Sequence, residues 1–206
     1  MTSISIIGSG KMSGAISEVA MRAGAGIQII KRSAASMSAA RPGLEYGVMG
    51  DELTGDLVVL AVPYSAYSGI LEHYRDQLSE KVVIDISNPI DFSTYDQLKS
   101  PADSSTAAEL AKMLPEGAAV VKAFNVNLGD TLTSGTNGTT PTTVLYAGDY
   151  ADAKMRVAAL IEASGMRAVD AGPLTRAREL EAVGFLQIVM AALGKTRYES
   201  GFALLP

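Results

Sequence analysis

Short apolar runs alternate with amphipathic stretches from the first residues of the chain almost to the last. Ser3-Ile4-Ser5-Ile6-Ile7 reads as a short buried strand. After a glycine-rich turn, Met12, Ile16, Val19, Ala20 and Ala23 fall on one face at helical spacing, and Gly24 can end that helix in a left-handed conformation. Residues 27–30 make a second strand and 44–49 a short edge strand, while the continuous apolar run 57–63 is the mark of a central parallel strand covered on both faces. Residues 81–87, 118–124, 143–148 and 166–170 complete the strands.

The helices between them follow from caps and periodicity. Ser65 is placed to cap a helix over 66–78 that buries Ile70, Tyr74 and Leu78. Thr106 and Glu109 have capping-box spacing for a helix to residue 114, stopped by Pro115-Glu116-Gly117. A further helix spans 151–163, and Thr175 can cap a last long helix that reaches Leu193 with Gly194 as its stop. Its Leu180, Val183, Phe185, Leu186, Ile188, Val189, Met190 and Leu193 spread almost all round, which predicts burial on several sides by packing or a dimer contact. Residues 33–40 read as a short small-residue helix or loop, and 91–101 as an irregular connection. Residues 127–143, rich in Gly, Thr, Ser and Asn, are a lid, a substrate loop or a plain long connection.

No repeat or linker divides the pattern, so 1–206 is expected to be one α/β domain with a Rossmann-like, doubly wound parallel sheet. A small C-terminal α/β extension, about 128–206, is expected to carry the long C-terminal helix.

Composition narrows the function. With 48% hydrophobic and 19% charged residues the 206-residue chain is a well-packed globular protein. A net charge of -5, without a Lys/Arg cluster, argues against nucleic acid. There is no cysteine and His73 is the single histidine, so no metal site is expected, and a lone helical histidine is a poor catalytic candidate. The longest apolar run, 57–63, is too short to span a bilayer, and the N-terminus has no basic leader, so a cytoplasmic protein without a membrane partner is expected.

Strand, glycine turn and helix at the N-terminus form the sharpest chemical signal. In Gly8-Ser9-Gly10-Lys11-Met12-Ser13-Gly14 the glycines let the backbone approach a pyrophosphate, whose charge the helix N-terminus receives. Ser13 holds the third glycine position, which governs helix packing, and the competing reading is an ordinary turn. The second strand ends at Lys31-Arg32-Ser33, where an acid would indicate NAD; two cations and a hydroxyl suit a 2′-phosphate and hence NADP, unless they are merely a solvated pair. Val62-Pro63-Tyr64, at the carboxyl end of a central strand, should line the cofactor groove. Asn88 can hydrogen-bond a nicotinamide carboxamide or a substrate carbonyl beside Pro89, or close an Asx turn of its own. Asn125 and Asn127 follow the strand at 118–124, so three asparagines cluster at two strand ends.

The set Gly8-Ser9-Gly10-Lys11-Met12, Lys31-Arg32-Ser33, Ala61-Val62-Pro63, Asp85-Ile86-Ser87-Asn88-Pro89, Lys122-Ala123-Phe124-Asn125 and Arg176-Ala177-Arg178-Glu179-Leu180-Glu181 resembles the NADPH-dependent coenzyme F420 reductase family over nearly the whole chain. The resemblance implies a Rossmann core, a small C-terminal portion, and a cleft that holds nicotinamide against an acceptor ring. It implies that Gly8, Ser9, Gly10, Lys11 and Met12 hold the pyrophosphate, and that Arg32 and Ser33, with Lys31, hold the 2′-phosphate. Ala61, Val62, Pro63, Asn88 and Pro89 would line the nicotinamide side, with Ala123 and Phe124 also against the cofactor. Asn88, Asn125 and Asn127 would be nearest the acceptor. Related modules of membrane metalloreductases pass hydride from NADPH to a flavin.

Such a reaction transfers hydride directly between stacked rings and needs no side-chain nucleophile, in keeping with the absence of a Ser-His-Asp or Tyr-x-x-x-Lys constellation. The loop after Phe124 departs from the archaeal deazaflavin reductases. The acceptor is therefore coenzyme F420, a flavin, or a small carbonyl or imine compound, and an NADPH sensor without turnover is the rival class. The expected partners are the small-molecule acceptor and a second copy of the chain in a homodimer.

Overall fold

Six parallel strands, the central ones buried on both faces, lie side by side in the order β3-β2-β1-β4-β5-β6. They are β1 (Ser3–Ile7), β2 (Gly26–Lys31), β3 (Leu44–Val48), β4 (Leu57–Leu60), β5 (Val82–Asp85) and β6 (Ala119–Ala123). The computed structural model describes residues 2–33 and 41–204, so the expected helix or loop at 33–40 lies, after Ser33, outside the described residues. Beyond β6 the same sheet continues with β9 (Thr143–Gly148) and β10 (Arg167–Gly172). These two are parallel to each other and run antiparallel to the first six, so the expected Rossmann-like sheet is mostly parallel, with its last two strands reversed. The reversal is local in origin: β6 and β9 are joined by a short helix and a hairpin on one side of the sheet, not by a crossover back to the strand start.

The period of two divides the core. Ile4, Ile6, Leu57, Val59, Val82 and Ile84 point to the face covered by α1 (Lys11–Arg22) and α5 (Ala151–Ala163). Ile7, Val58, Leu60 and Val83 point to the other, covered by α2 (Tyr67–Tyr74) and α3 (Thr106–Met113). The strand order turns back between β1 and β4, and a crevice opens beyond the carboxyl ends of adjacent parallel strands at such a point.

Four local expectations are corrected. The helix at 66–78 is divided into a 3-10 turn at Tyr64–Ala66, α2, and a second 3-10 turn at Arg75–Leu78. Ala66, not Ser65, stands at the N-cap of α2, because Pro63 starts a tight turn closed by the Ala66 N–H on its carbonyl, 2.9 Å. At α3 the cap is Ser105, whose hydroxyl accepts from the Ala108 N–H at 3.1 Å; Thr106 is helical and its hydroxyl is engaged by buried charges. The polar stretch 127–143 is a long connection but not an irregular one: it holds α4 (Gly129–Ser134) and a hairpin of β7 (Thr136–Asn137) with β8 (Thr140–Pro141). A sequence of such low helix propensity is held by tertiary contact, with Leu132 in the core and Arg22 of α1 donating to the Leu132 and Thr133 carbonyls at 2.7 and 2.8 Å.

The last helix, α6 (Ala177–Ala192), is the fourth correction. Thr175 sits in a preceding 3-10 turn and does not cap it, and Gly194 follows it with φ 67° as expected. Its buried stripe is Ala177, Leu180, Glu181, Gly184, Gln187 and Ala191, while Leu186 and Leu193 are exposed. The helix buries its small and polar face, and so its hydropathy misleads.

Candidate active site

The turn after β1 is built by two glycines for different reasons. Gly8 has φ 127°, and a β-carbon there would stand 2.3 Å from the Ala61 carbonyl oxygen, so only glycine lets this turn pass beneath the end of β4. Gly10 is the N-cap of α1, has no side-chain cap, and would point a β-carbon into open space. The first N–H groups of α1 have no intrahelical acceptor, which leaves an anion-receptive helix end beside an unobstructed backbone. Ser13 is buried and donates its hydroxyl to the Gly8 carbonyl at 2.8 Å, so the serine ties the helix to the turn at the position where the glycine pattern asks for close packing.

From this turn a cleft of about 820 Å³ opens along the carboxyl ends of β4, β5 and β6. Gly10, Lys11 and Met12 form one end. Residues 61–65 and 86–93 form its walls, Asn125 and residues 127–129 its floor beyond β6, and Ile188 of α6 with Tyr198 of the C-terminal segment close the other side. Sequence reasoning missed Phe92, Lys99, Ile188 and Tyr198. Phe92 lay in a stretch without periodicity, and Tyr198 reaches the site only because the chain after α6 turns back, its Gly201 carbonyl accepting from Asn137 Nδ2 at 2.6 Å. Lys11 joins these parts, paired with Asp130 of α4 at 2.9 Å and 5.6 Å from the Tyr198 ring centroid. Within the wall, the Asp91 carboxyl is lowered to about 2 by hydrogen bonds from the Ser93 hydroxyl and N–H and by Lys99.

The other predicted residues divide into those at the cleft and those behind it. Ala61, Val62, Pro63, Asn88, Pro89, Asn125 and Asn127 line it. Gly8 lies under Ala61, and Ser9 is exposed at the turn. Arg32 and Ser33 are exposed at the end of β2, whereas Lys31 is buried with its Nζ 4.7 Å from the Tyr46 ring centroid. Ala123 and Phe124, expected against the cofactor, are fully buried in the core and do not line the cleft. Phe124 instead takes φ 63°, turning the chain so that Asn125 and Asn127 reach the cleft.

Asn88 and Asn125 bind each other. Asn88 Nδ2 donates to the Asn125 carbonyl at 2.7 Å, and Asn125 Nδ2 donates to Asn88 Oδ1 and the Leu180 carbonyl, both at 2.9 Å. Asn127 Nδ2 donates to the Thr143 carbonyl at 2.9 Å. These asparagines are thus scaffolding as well as cleft wall, and they link β5, β6 and α6.

Behind the wall lies a group of buried charges. The register pairs Leu60 with Asp85 and Asp85 with Lys122, which sets a carboxylate beside an ammonium within the sheet. Lys122 Nζ, fully buried, donates to Asp85 Oδ2 at 3.0 Å, the Ser87 carbonyl at 2.6 Å, Thr106 Oγ1 at 3.1 Å and Glu181 Oε1 at 2.9 Å. Tyr67 donates its phenol to Asp85 Oδ1, and the Ser87 N–H reaches the same oxygen at 2.8 Å. Burial by itself would push the Asp85 carboxyl up, but Lys122 and these hydrogen bonds hold it below the ordinary value. Burial and the adjacent carboxylate push the Tyr67 phenol well up. Among the described residues no group of acids and histidines could hold a metal, and no helix is long and apolar enough to cross a membrane.

The family model described as "NADP oxidoreductase coenzyme F420-dependent" matches residues 3–89. The F420-dependent NADP reductase of Methanocaldococcus jannaschii is 30% identical over 150 residues, covering 68% of this chain and 66% of that protein. This chain belongs to the coenzyme F420-dependent NADP oxidoreductase family. The metalloreductase STEAP3 of Rattus norvegicus is also similar, 29% identical over 182 residues, which cover 87% of this chain but 36% of that protein. The chain therefore spans about a third of the one relative and just under two thirds of the other. The crystal structure of a candidate F420-dependent NADP reductase from Arthrobacter sp. FB24 shares the fold, with a TM-score of 0.85, 24% identity and coverage of 98% of this chain and 99% of that one.

Proposed function

We propose that the protein is an NADP(H)-dependent oxidoreductase that passes hydride between the nicotinamide and a flat heterocyclic acceptor of the deazaflavin (coenzyme F420) class. The observation that carries this reading is the single cleft that runs from the uncapped N-terminus of α1 to the Ile188 and Tyr198 side. NADPH bound along it supplies the hydride. The residues present fit that cofactor: Gly8 and Gly10 keep side chains off the turn, the α1 N–H groups receive phosphate, and exposed Arg32 with Ser33 offers a cation and a hydroxyl to a 2′-phosphate. Ala61, Val62, Pro63, Asn88 and Pro89 form the nicotinamide side.

On the acceptor side, Ile90, Phe92, Ile188 and Tyr198 supply apolar and aromatic surface that displaces water from two stacked rings. The deazaflavin class is favoured over other acceptors by the name and similarity of the M. jannaschii reductase. The proposal treats residues 128–206 as the acceptor side of one domain. It also takes the exposed Leu186 and Leu193 of α6 as the contact of a homodimer, which light scattering of the eluted protein would measure.

The test is an NADPH oxidation assay on the purified chain with coenzyme F420, FAD, FMN and a panel of imines and carbonyl compounds. Oxidation with the deazaflavin is expected. Turnover with flavin alone would move the acceptor to that class, and tight NADPH binding with no turnover on any acceptor would make the protein a sensor.

A further inference from the structure

Three of the segments that carry the family resemblance bring Asp85, Lys122 and Glu181 to one point, and none of the three lines the cleft. Their formal charges leave one negative charge over. Lys122 is shared between both carboxylates, all three residues are almost wholly buried, and Glu181 Oε2 has no hydrogen-bond partner. Glu181 Oε1 by contrast accepts from Lys122 Nζ, the Thr106 N–H and the Thr106 hydroxyl, three donors suited to a carboxylate.

This cluster stands one residue behind the cleft. Ser87 lines the cleft and is bound into the cluster at every polar atom: its N–H to Asp85, its carbonyl from Lys122, and its hydroxyl against Thr106 at 2.7 Å. Solvent and salt do not screen a charge placed there as they screen one at the surface. The charged side chains that line the cleft itself are paired, Lys11 with Asp130 and Lys99 with Asp91. The field also reaches the facing wall, since the Tyr64 phenol is pushed up by burial and then by the carboxylates of Glu109, Glu181 and Asp85.

We propose that the Asp85–Lys122–Glu181 cluster tunes the cofactor: its excess negative charge favours the oxidised, positively charged nicotinamide over the reduced, neutral ring, with Glu181 as the positioning residue that supplies the charge. The inference rests on the reading that the nicotinamide lies at the Asn88–Pro89 end of the cleft. Its consequence is that bound NADPH is a stronger hydride donor than free NADPH. By linkage, the ratio of the dissociation constants for NADP+ and NADPH reports the shift directly, whatever the acceptor.

Glu181→Gln is the decisive variant, because a glutamine keeps the Oε1 contacts and puts its amide where Oε2 has no partner. Glu181→Met makes the same charge change with a different shape, in case either variant fails to fold, and Glu181→Asp keeps the charge. Dissociation constants for NADP+ and NADPH are measured by titration calorimetry on all four proteins. Gln and Met are expected to weaken NADP+ relative to NADPH by on the order of ten-fold, while Asp retains the wild-type ratio. A purely structural role would move both constants together and leave the ratio unchanged, which overturns the proposal while the oxidoreductase reading stands. Failure of the wild type to bind either form overturns both.

Discussion

Gly184 of α6 sits so close to Asn88 that a β-carbon on it would come within 2.5 Å of Asn88 Oδ1 and 2.7 Å of the Asn125 carbonyl. A glycine inside a helix costs about 1 kcal/mol relative to alanine, and here the close approach of helix to strand ends requires it. Gly184→Ala is expected to push α6 from the Asn88–Asn125 pair, lowering stability by about 1–3 kcal/mol and NADPH turnover together. Urea unfolding and the oxidation assay check both, and an alanine variant with wild-type values in each would show that the pair tolerates a wider gap.

Gly8→Ala tests the turn. The substituted residue would need φ near 127° and would meet the Ala61 carbonyl at 2.3 Å, so either the turn or the end of β4 must move. NADPH affinity measured by fluorescence is expected to fall by a factor of about one hundred or more, on the order of 3 kcal/mol. Gly10→Ala, whose β-carbon meets nothing within 4 Å of it in the protein, is the informative companion. It should fold normally and lose affinity through contact with the ligand alone.

Arg32→Ala should reduce the preference for NADPH over NADH without much change in NADH affinity, because the exposed guanidinium is proposed to meet only the 2′-phosphate. A loss of about ten-fold in the affinity ratio is expected for one charge-assisted contact. Equal use of NADH and NADPH by the wild type would refute the NADP assignment outright.

Asp85 makes stability depend on acid. Its folded-state pKa lies below the ordinary 3.8, so the stability it contributes is present above that value and is lost as the pH falls through the folded pKa. Thermal unfolding should therefore show a decline in melting temperature below about pH 4, part of which disappears in Asp85→Asn. Lys122→Met is harsher: it leaves two buried carboxylates without their cation, and a loss of about 3–5 kcal/mol at neutral pH is expected. Partial recovery of that variant on mild acidification, as a carboxylate takes up a proton, would be the signature of the buried charge.

The fold was largely legible because its strands are predominantly apolar and its turns carry glycine, and those two signals are local. The strands of the core, the glycine turn and the left-handed stop at Gly24 all follow from residues within a few positions of each other. What local signals misjudged has a common cause. Thr106 looked like half of a capping box, but its hydroxyl is spent on Asp85 and Glu181, residues 21 and 75 positions away. The stretch Gly129-Asp130-Thr131-Leu132-Thr133-Ser134 looked like a loop, but Arg22, more than 100 positions distant, binds the last carbonyls of the helix it forms. The asparagines at 88, 125 and 127 were legible as polar groups at strand ends, while the hydrogen bonds between Asn88 and Asn125 and from Asn127 to the Thr143 carbonyl were not.

By itself the sequence determined the Rossmann-like order of strands and helices, the glycine turn between β1 and α1, and the family, since each rests on residue type at short spacing, where backbone sterics and hydrophobic period decide. Only the tertiary structure decided that β9 and β10 run against the other strands, that Ala123 and Phe124 belong to the core, and that α6 buries Glu181 and Gly184 while leaving Leu186 exposed. The same is true of the cleft wall at Ile188 and Tyr198 and of the charge cluster behind Ser87. These depend on which distant groups meet, and a buried Lys122 is stable only because two carboxylates from other elements arrive at the same place.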